Sequence, residues 1–81
     1  MTKSQVYAAK NMYEKHLKEI AISLKIDISY TDNMDNILLY IVSKTKRQAV
    51  LFDAIRFYKY YISMCTRISQ QSWEEDEGDN I

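Results

Sequence analysis

Apolar residues recur through most of this chain at the 3.6-residue period of an α-helix. Between residues 3 and 25, Val6, Ala9, Met12, Tyr13, His16, Leu17, Ile20 and Leu24 fall on one face at 100° per residue. Lys10, Glu14, Lys15, Lys18 and Glu19 lie elsewhere on the wheel. Glu14 and Lys18 have the i,i+4 order that adds about 0.2–0.5 kcal/mol to a helix. One stretch reads differently. Ile20, Ile22, Leu24, Ile26, Ile28 and Tyr30 alternate with other residues, which is a strand signature. A hairpin pairing this stretch with residues 37–44 through TDNMDN is the competing expectation. The helical face already accounts for Ile20 and Leu24, and an isolated two-stranded hairpin is marginally stable. The first element is therefore expected to be a helix over about 3–25.

The segment SYTDNMDN interrupts the pattern. Asp32 is placed to cap a second helix, with Asp35 adding a carboxylate near the positive end of its dipole. Met34, Ile37, Leu38, Ile41 and Val42 then follow helical spacing, so helix two is expected over about 33–44. Leu39 and Tyr40 fall on its other side. A third helix is expected over about 46–70. Ser43, Lys44 and Thr45 mark either a short turn or a kink in one continuous helix.

The absence of proline, and of glycine except Gly78, sharpens this picture. Tight hairpins usually need glycine at positive φ, whereas helix connections can use Ser, Thr, Asn and Asp. The expected fold is all-α: a small three-helix domain over residues 1–73, followed by a disordered acidic tail over 74–81.

A domain of 81 residues buries only about 60–65% of the surface its unfolded chain exposes, so its core needs help. Cys65 is the single cysteine and excludes an internal disulfide. One histidine and one cysteine cannot build an N/S metal site within the chain. Oligomerisation is the remaining device, and a homodimer formed through helix three is expected. No secretory leader is visible, and the longest apolar run, Ile37 to Val42, is too short for a span of about 20 residues. The expected setting is cytoplasmic, without a membrane partner.

Charge is segregated. Residues 1–73 hold all eleven Lys and Arg against six acids, a net of +5, and residues 74–81 hold five acids and no base, a net of −5. A basic body carrying a short acidic tail meets anions on its body, with the tail as a solubilising segment or a competitor.

Helix three carries the most informative surfaces. Its apolar arc holds Val50, Leu51, Ala54, Ile55, Phe57, Tyr58, Tyr61, Ile62, Met64, Cys65 and Ile68. That covers about half the circumference, more than one packed face of a three-helix monomer requires. The edge formed by Phe57, Tyr61, Met64 and Ile68 is the candidate protein interface, because aromatic and Met side chains are enriched where proteins meet partners. The opposite arc carries Arg56, Lys59 and Arg67 with Phe52, Tyr60 and Ser63. Lys44, Lys46 and Arg47 precede the helix, where cations oppose its dipole. These six cations are the candidate nucleic-acid contacts, since basic side chains interleaved with aromatics hold phosphates and stack on bases. His16 reads as a packed histidine and Cys65 as an inert buried thiol. Trp73 reads as a cap on the core or as an aromatic anchor beside the acidic run.

No catalytic pattern is present: there is no glycine-rich phosphate loop, CxxC or HExxH. A calcium loop starting at Asp32 would need a glutamate where Ser43 stands. No cofactor, metal or small-molecule substrate is expected. The expected function is that of a non-enzymatic regulatory or inhibitory protein that binds another protein as well as itself. The composition suits the accessory proteins of phages, viruses or plasmids. The alternative is a nucleic-acid-binding transcriptional regulator using the basic face of helix three.

Overall fold

A computed structural model describes residues 2–70, which form three helices: α1 (Lys3–Ser23), α2 (Met34–Lys44) and α3 (Gln48–Gln70). Among the described residues there is no strand, and the fold is all-α. The acidic tail and Trp73 lie outside the described residues.

Local hydrogen bonds set the boundaries. Thr2 starts α1 with a capping box: its Oγ1 accepts from the Gln5 amide at 3.2 Å, and Gln5 Oε1 accepts from the Thr2 amide at 2.9 Å. The helix ends two residues earlier than the apolar pattern predicts, in a Schellman turn. The Lys25 amide donates to Ile22 O at 2.9 Å and the Ile26 amide to Ala21 O at 3.0 Å. Lys25 sits at φ 65°, where glycine usually stands. This turn overturns the hairpin alternative: the alternation from Ile20 to Tyr30 runs across a helix end, and Ile22 is 61% exposed. The left-handed conformation costs a non-glycine residue about 1–2 kcal/mol, part of which glycine would lose again through its freer unfolded state. Lys25→Gly is therefore expected to stabilise the fold by about 0.5–1 kcal/mol, raising the thermal midpoint by a few degrees in a circular-dichroism melt.

The link to α2 is tied by side chains. Asp27 accepts from the Ser29 amide at 3.0 Å and from Ser29 Oγ at 2.7 Å. Those bonds, the amide first, hold its carboxyl below the usual carboxylate range. Lys18 reaches Asp32 at 3.3 Å, and Glu14 takes Lys10 at 2.7 Å in place of the expected Lys18. The cap of α2 is Asn33 rather than Asp32. Its Oδ1 accepts from the amides of Asp35 and Asn36, which moves Asp35 one position nearer the helix start. Thr45 then separates α2 from α3. It is extended and buried, and its hydroxyl accepts from the Arg47 amide at 3.1 Å. The two helices are thus discontinuous, and α3 begins at Gln48, two residues later than expected.

α1 and α3 run antiparallel: Lys10 meets Tyr61, Tyr13 meets Phe57 and Tyr60, and His16 meets Phe57. Both are about 31–35 Å long, while α2, with 11 residues, reaches only about 16 Å. The core lies where all three helices meet: Leu17 and Ala21 of α1, Met34, Ile37 and Ile41 of α2, and Ala54 of α3. Met12, expected on the packed face, is 45% exposed, because the buried stripe of α1 is centred on Val6, Leu17 and Ala21. With α2 beside only half of the α1–α3 pair, the molecule is long, 48 × 26 × 18 Å. Its radius of gyration is 14.5 Å, against about 11–12 Å for a compact chain of this size.

Candidate interaction surface

Helix α3 repeats apolar residues at alternating steps of four and three, and does so twice. One seam is Val50, Ala54, Phe57, Tyr61, Met64 and Ile68, and the other, displaced by one residue, is Leu51, Ile55, Tyr58, Ile62 and Cys65. Steps of four and three keep a seam straight along a packed helix, so α3 is built to meet two neighbours about 100° apart. The first seam meets α1. His16 stacks on Phe57 with centroids 4.7 Å apart, Tyr13 lies 6.3 Å from Phe57, and the Lys10 ammonium stands 5.8 Å from the Tyr61 ring. Phe57 and Tyr61 also pack against the core, and Met64 and Ile68 are half-buried along the same seam. All four residues expected at a protein interface therefore stand on the edge of α3 that this chain turns toward α1.

The open edge is the neighbouring one. The Tyr58 hydroxyl donates to Asp35 Oδ1, which ties the first turn of α2 to the second seam. That bond, ahead of burial, pushes the Tyr58 phenol above its ordinary value. Leu39 and Val42 follow Asp35 at i+4 and i+7, on the same side of α2. Leu51, Ile55 and Ile62 lie seven and three residues before Tyr58 and four after it. Leu39 is 62% exposed, Val42 45%, and Ile55 and Ile62 39% each. These residues make an apolar strip along the α2–α3 junction that continues up α3. Above Tyr58, about 18 Å of α3 runs on with no α2 beside it.

Between α1 and α3, in that upper half, sits a polar group of Lys10, Glu14, Tyr61 and Cys65. The Glu14 carboxylate, through its hydrogen bond, raises Lys10 above its ordinary value. Burial, then a hydrogen bond with Cys65, pushes Tyr61 up to about 12. A phenol held neutral by folding contributes stability below its ordinary value of 10.0, and that contribution is lost as pH rises towards 12. Alkaline titration of tyrosinate absorbance should show a last ionisation near pH 12 accompanied by loss of helicity. Tyr61→Phe should remove that step.

The basic residues do not converge. Lys44, Lys46 and Arg47 gather at the α2–α3 corner, and Arg67 stands about 30 Å further along α3. Arg56 is taken by Asp53 at 2.7 Å and lies over the Phe57 ring at 5.5 Å. Lys59 is exposed and Arg67 half-buried. A shallow cleft of about 330 Å³ opens between the α1–α2 link and α2, lined by Ile26, Asp27, Tyr30, Tyr40, Ser43 and Lys44. Tyr40 beside it pushes the Tyr30 phenol above its ordinary value. Among the described residues, no group of three or more His, Cys, Asp or Glu side chains is arranged to hold a metal ion, and no helix is long and apolar enough to cross a membrane. The sequence reading placed the residues of both seams on one apolar arc without dividing it, although the displaced four-three spacing marks the division. No protein-family model, curated protein or solved structure matches this chain.

Proposed function

We propose that this chain is a non-enzymatic protein-binding module, a regulator or inhibitor that associates with itself through α3 and presents its apolar surface to a partner protein. One observation supports this above the others. Of the apolar side chains on the two seams of α3, the single chain fully buries only Ala54. Folded domains seldom leave a long apolar strip open unless another protein covers it. Sedimentation equilibrium over a micromolar concentration series tests this directly. A concentration-dependent dimer is expected, and a monomer at every concentration would sink the self-association reading.

A second reading, nucleic-acid binding, draws on the arc of α3 that carries exposed Arg56 and Lys59 and half-buried Arg67. Phosphate neutralisation by these cations would make affinity fall steeply with salt. A mobility-shift titration at low salt, with Arg56, Lys59 and Arg67 together replaced by Ala, decides it: no shift with the parent chain rejects the reading.

A further inference from the structure

We infer that the upper half of the second α3 seam is a self-docking surface, on which two copies pair α3 against α3 in antiparallel fashion with Ile62 at the two-fold axis. The inference rests on the proposed self-association and specifies its geometry. It begins from a mismatch of lengths. α1 and α3 are long helices and α2 reaches only the level of Tyr58, so among the described residues no third helix lies beside the pair above that point. Along this stretch the seam carries exposed Ile62 and half-buried Cys65, the latter beside Lys10 of α1.

The occupant is indicated by the seam itself. The four-three spacing through Tyr58, Ile62, Cys65 and Ser69 matches a straight helix lying alongside, rather than a loop or an extended strand. None of these four side chains bears a charge at neutral pH. Antiparallel self-pairing therefore places no like charges opposite one another, and Lys10 at the rim is already neutralised by Glu14 at 2.7 Å. A two-fold interface requires a patch complementary to itself. Here one half-seam serves both as the surface to be covered and as a helix of the right spacing to cover it. With Ile62 on the axis, Tyr58 of one copy lies near Cys65 and Thr66 of the other, an aromatic ring over small side chains.

The geometry makes a sharp distinction between two cysteine positions. At the axis, Cα atoms facing each other across helices about 8–10 Å apart come within about 4–6 Å, inside the range for a disulfide. Cys65 is displaced from its mate by about 9 Å along the axes as well, which leaves the two Cα atoms roughly 11 Å apart and outside that range. The test uses the full chain and the double variant Cys65→Ser with Ile62→Cys under mild oxidation, read by non-reducing electrophoresis beside sedimentation. The expected result is a dimer in both, cross-linked in most molecules of the variant and in few of the parent. Ile62 is 39% exposed, so the substitution leaves the core untouched, and circular dichroism checks the fold. Ile62→Lys supplies an independent arm, with dimer affinity expected to fall at least tenfold and helicity unchanged. A dimer that cross-links through Cys65, or through neither position, overturns the antiparallel pairing while leaving self-association standing. A monomer overturns both. If the thiol introduced at position 62 resists alkylation in that monomer, another segment of the same chain covers the seam.

Discussion

Replacing Leu17 with Ala is expected to lower stability by about 2–5 kcal/mol. Leu17 is fully buried at the level where all three helices meet, in one cluster with Ala21, Ile37, Ile41 and Ala54. Removing three heavy atoms there loses their transfer free energy and leaves a cavity that three helices at once would have to collapse. A chain of this length holds roughly 4–12 kcal/mol in total. The loss is thus a large part of what keeps the fold together, and the thermal midpoint should fall by more than about 10 °C. Ile22→Ala, five residues further on and largely exposed, should change it by less than about 0.5 kcal/mol. Equal effects at the two positions would mean that α1 is not packed by the stripe centred on Leu17.

The reverse change at Ala54 should be nearly as damaging. Ala54 is the one α3 residue fully buried, and it belongs to the same cluster as Leu17. Its small side chain lets α3 approach α1 and α2 closely, because helix separation follows the side chains at the contact. Ala54→Leu adds three carbons where there is no room and is expected to cost about 1–3 kcal/mol through displaced helices and strained rotamers. The two substitutions should also be coupled. In a double-mutant cycle measured by urea unfolding, the larger side chain at position 54 would partly refill the space that Leu17→Ala vacates. The pair should therefore be more stable than the sum of the singles by about 0.5–3 kcal/mol. Strict additivity would show that the two side chains do not share a cavity.

Much of this architecture is readable from residue order. The 3.6-residue period in α1 and α2, with no proline or glycine in residues 1–77, leads to an all-helical chain. The break at residues 24–33 is visible in its cluster of Asp, Asn, Ser and Thr. The capping details are less legible. Asn33 and Asp32 are both good caps, and the structure separates their roles: Asn33 accepts from the Asp35 and Asn36 amides, while Asp32 takes Lys18. Likewise the alternation from Ile20 to Tyr30 fits a strand as well as a helix end. The Schellman bonds at Lys25 and Ile26 settle it, and those depend on a lysine accepting a left-handed backbone.

The same division runs through the candidate surface. That α3 is apolar over half its circumference, with Arg56, Lys59 and Arg67 on the opposite arc, follows from spacing alone. Which part of that arc stays open does not. Two seams with identical four-three spacing lie side by side, one beginning at Val50 and the other at Leu51, and a periodicity cannot rank them. Three-dimensional contacts make the choice. The rings of Tyr13 and His16 draw the Phe57 seam onto α1, and Asp35 holds the first turn of α2 against the middle of the other seam, at Tyr58. Chain order thus determined helix content, the breaks between helices and the amphipathic character of α3. Tertiary packing decided how much of each seam the chain's own helices meet, because α2 is too short to run the length of the pair it packs against.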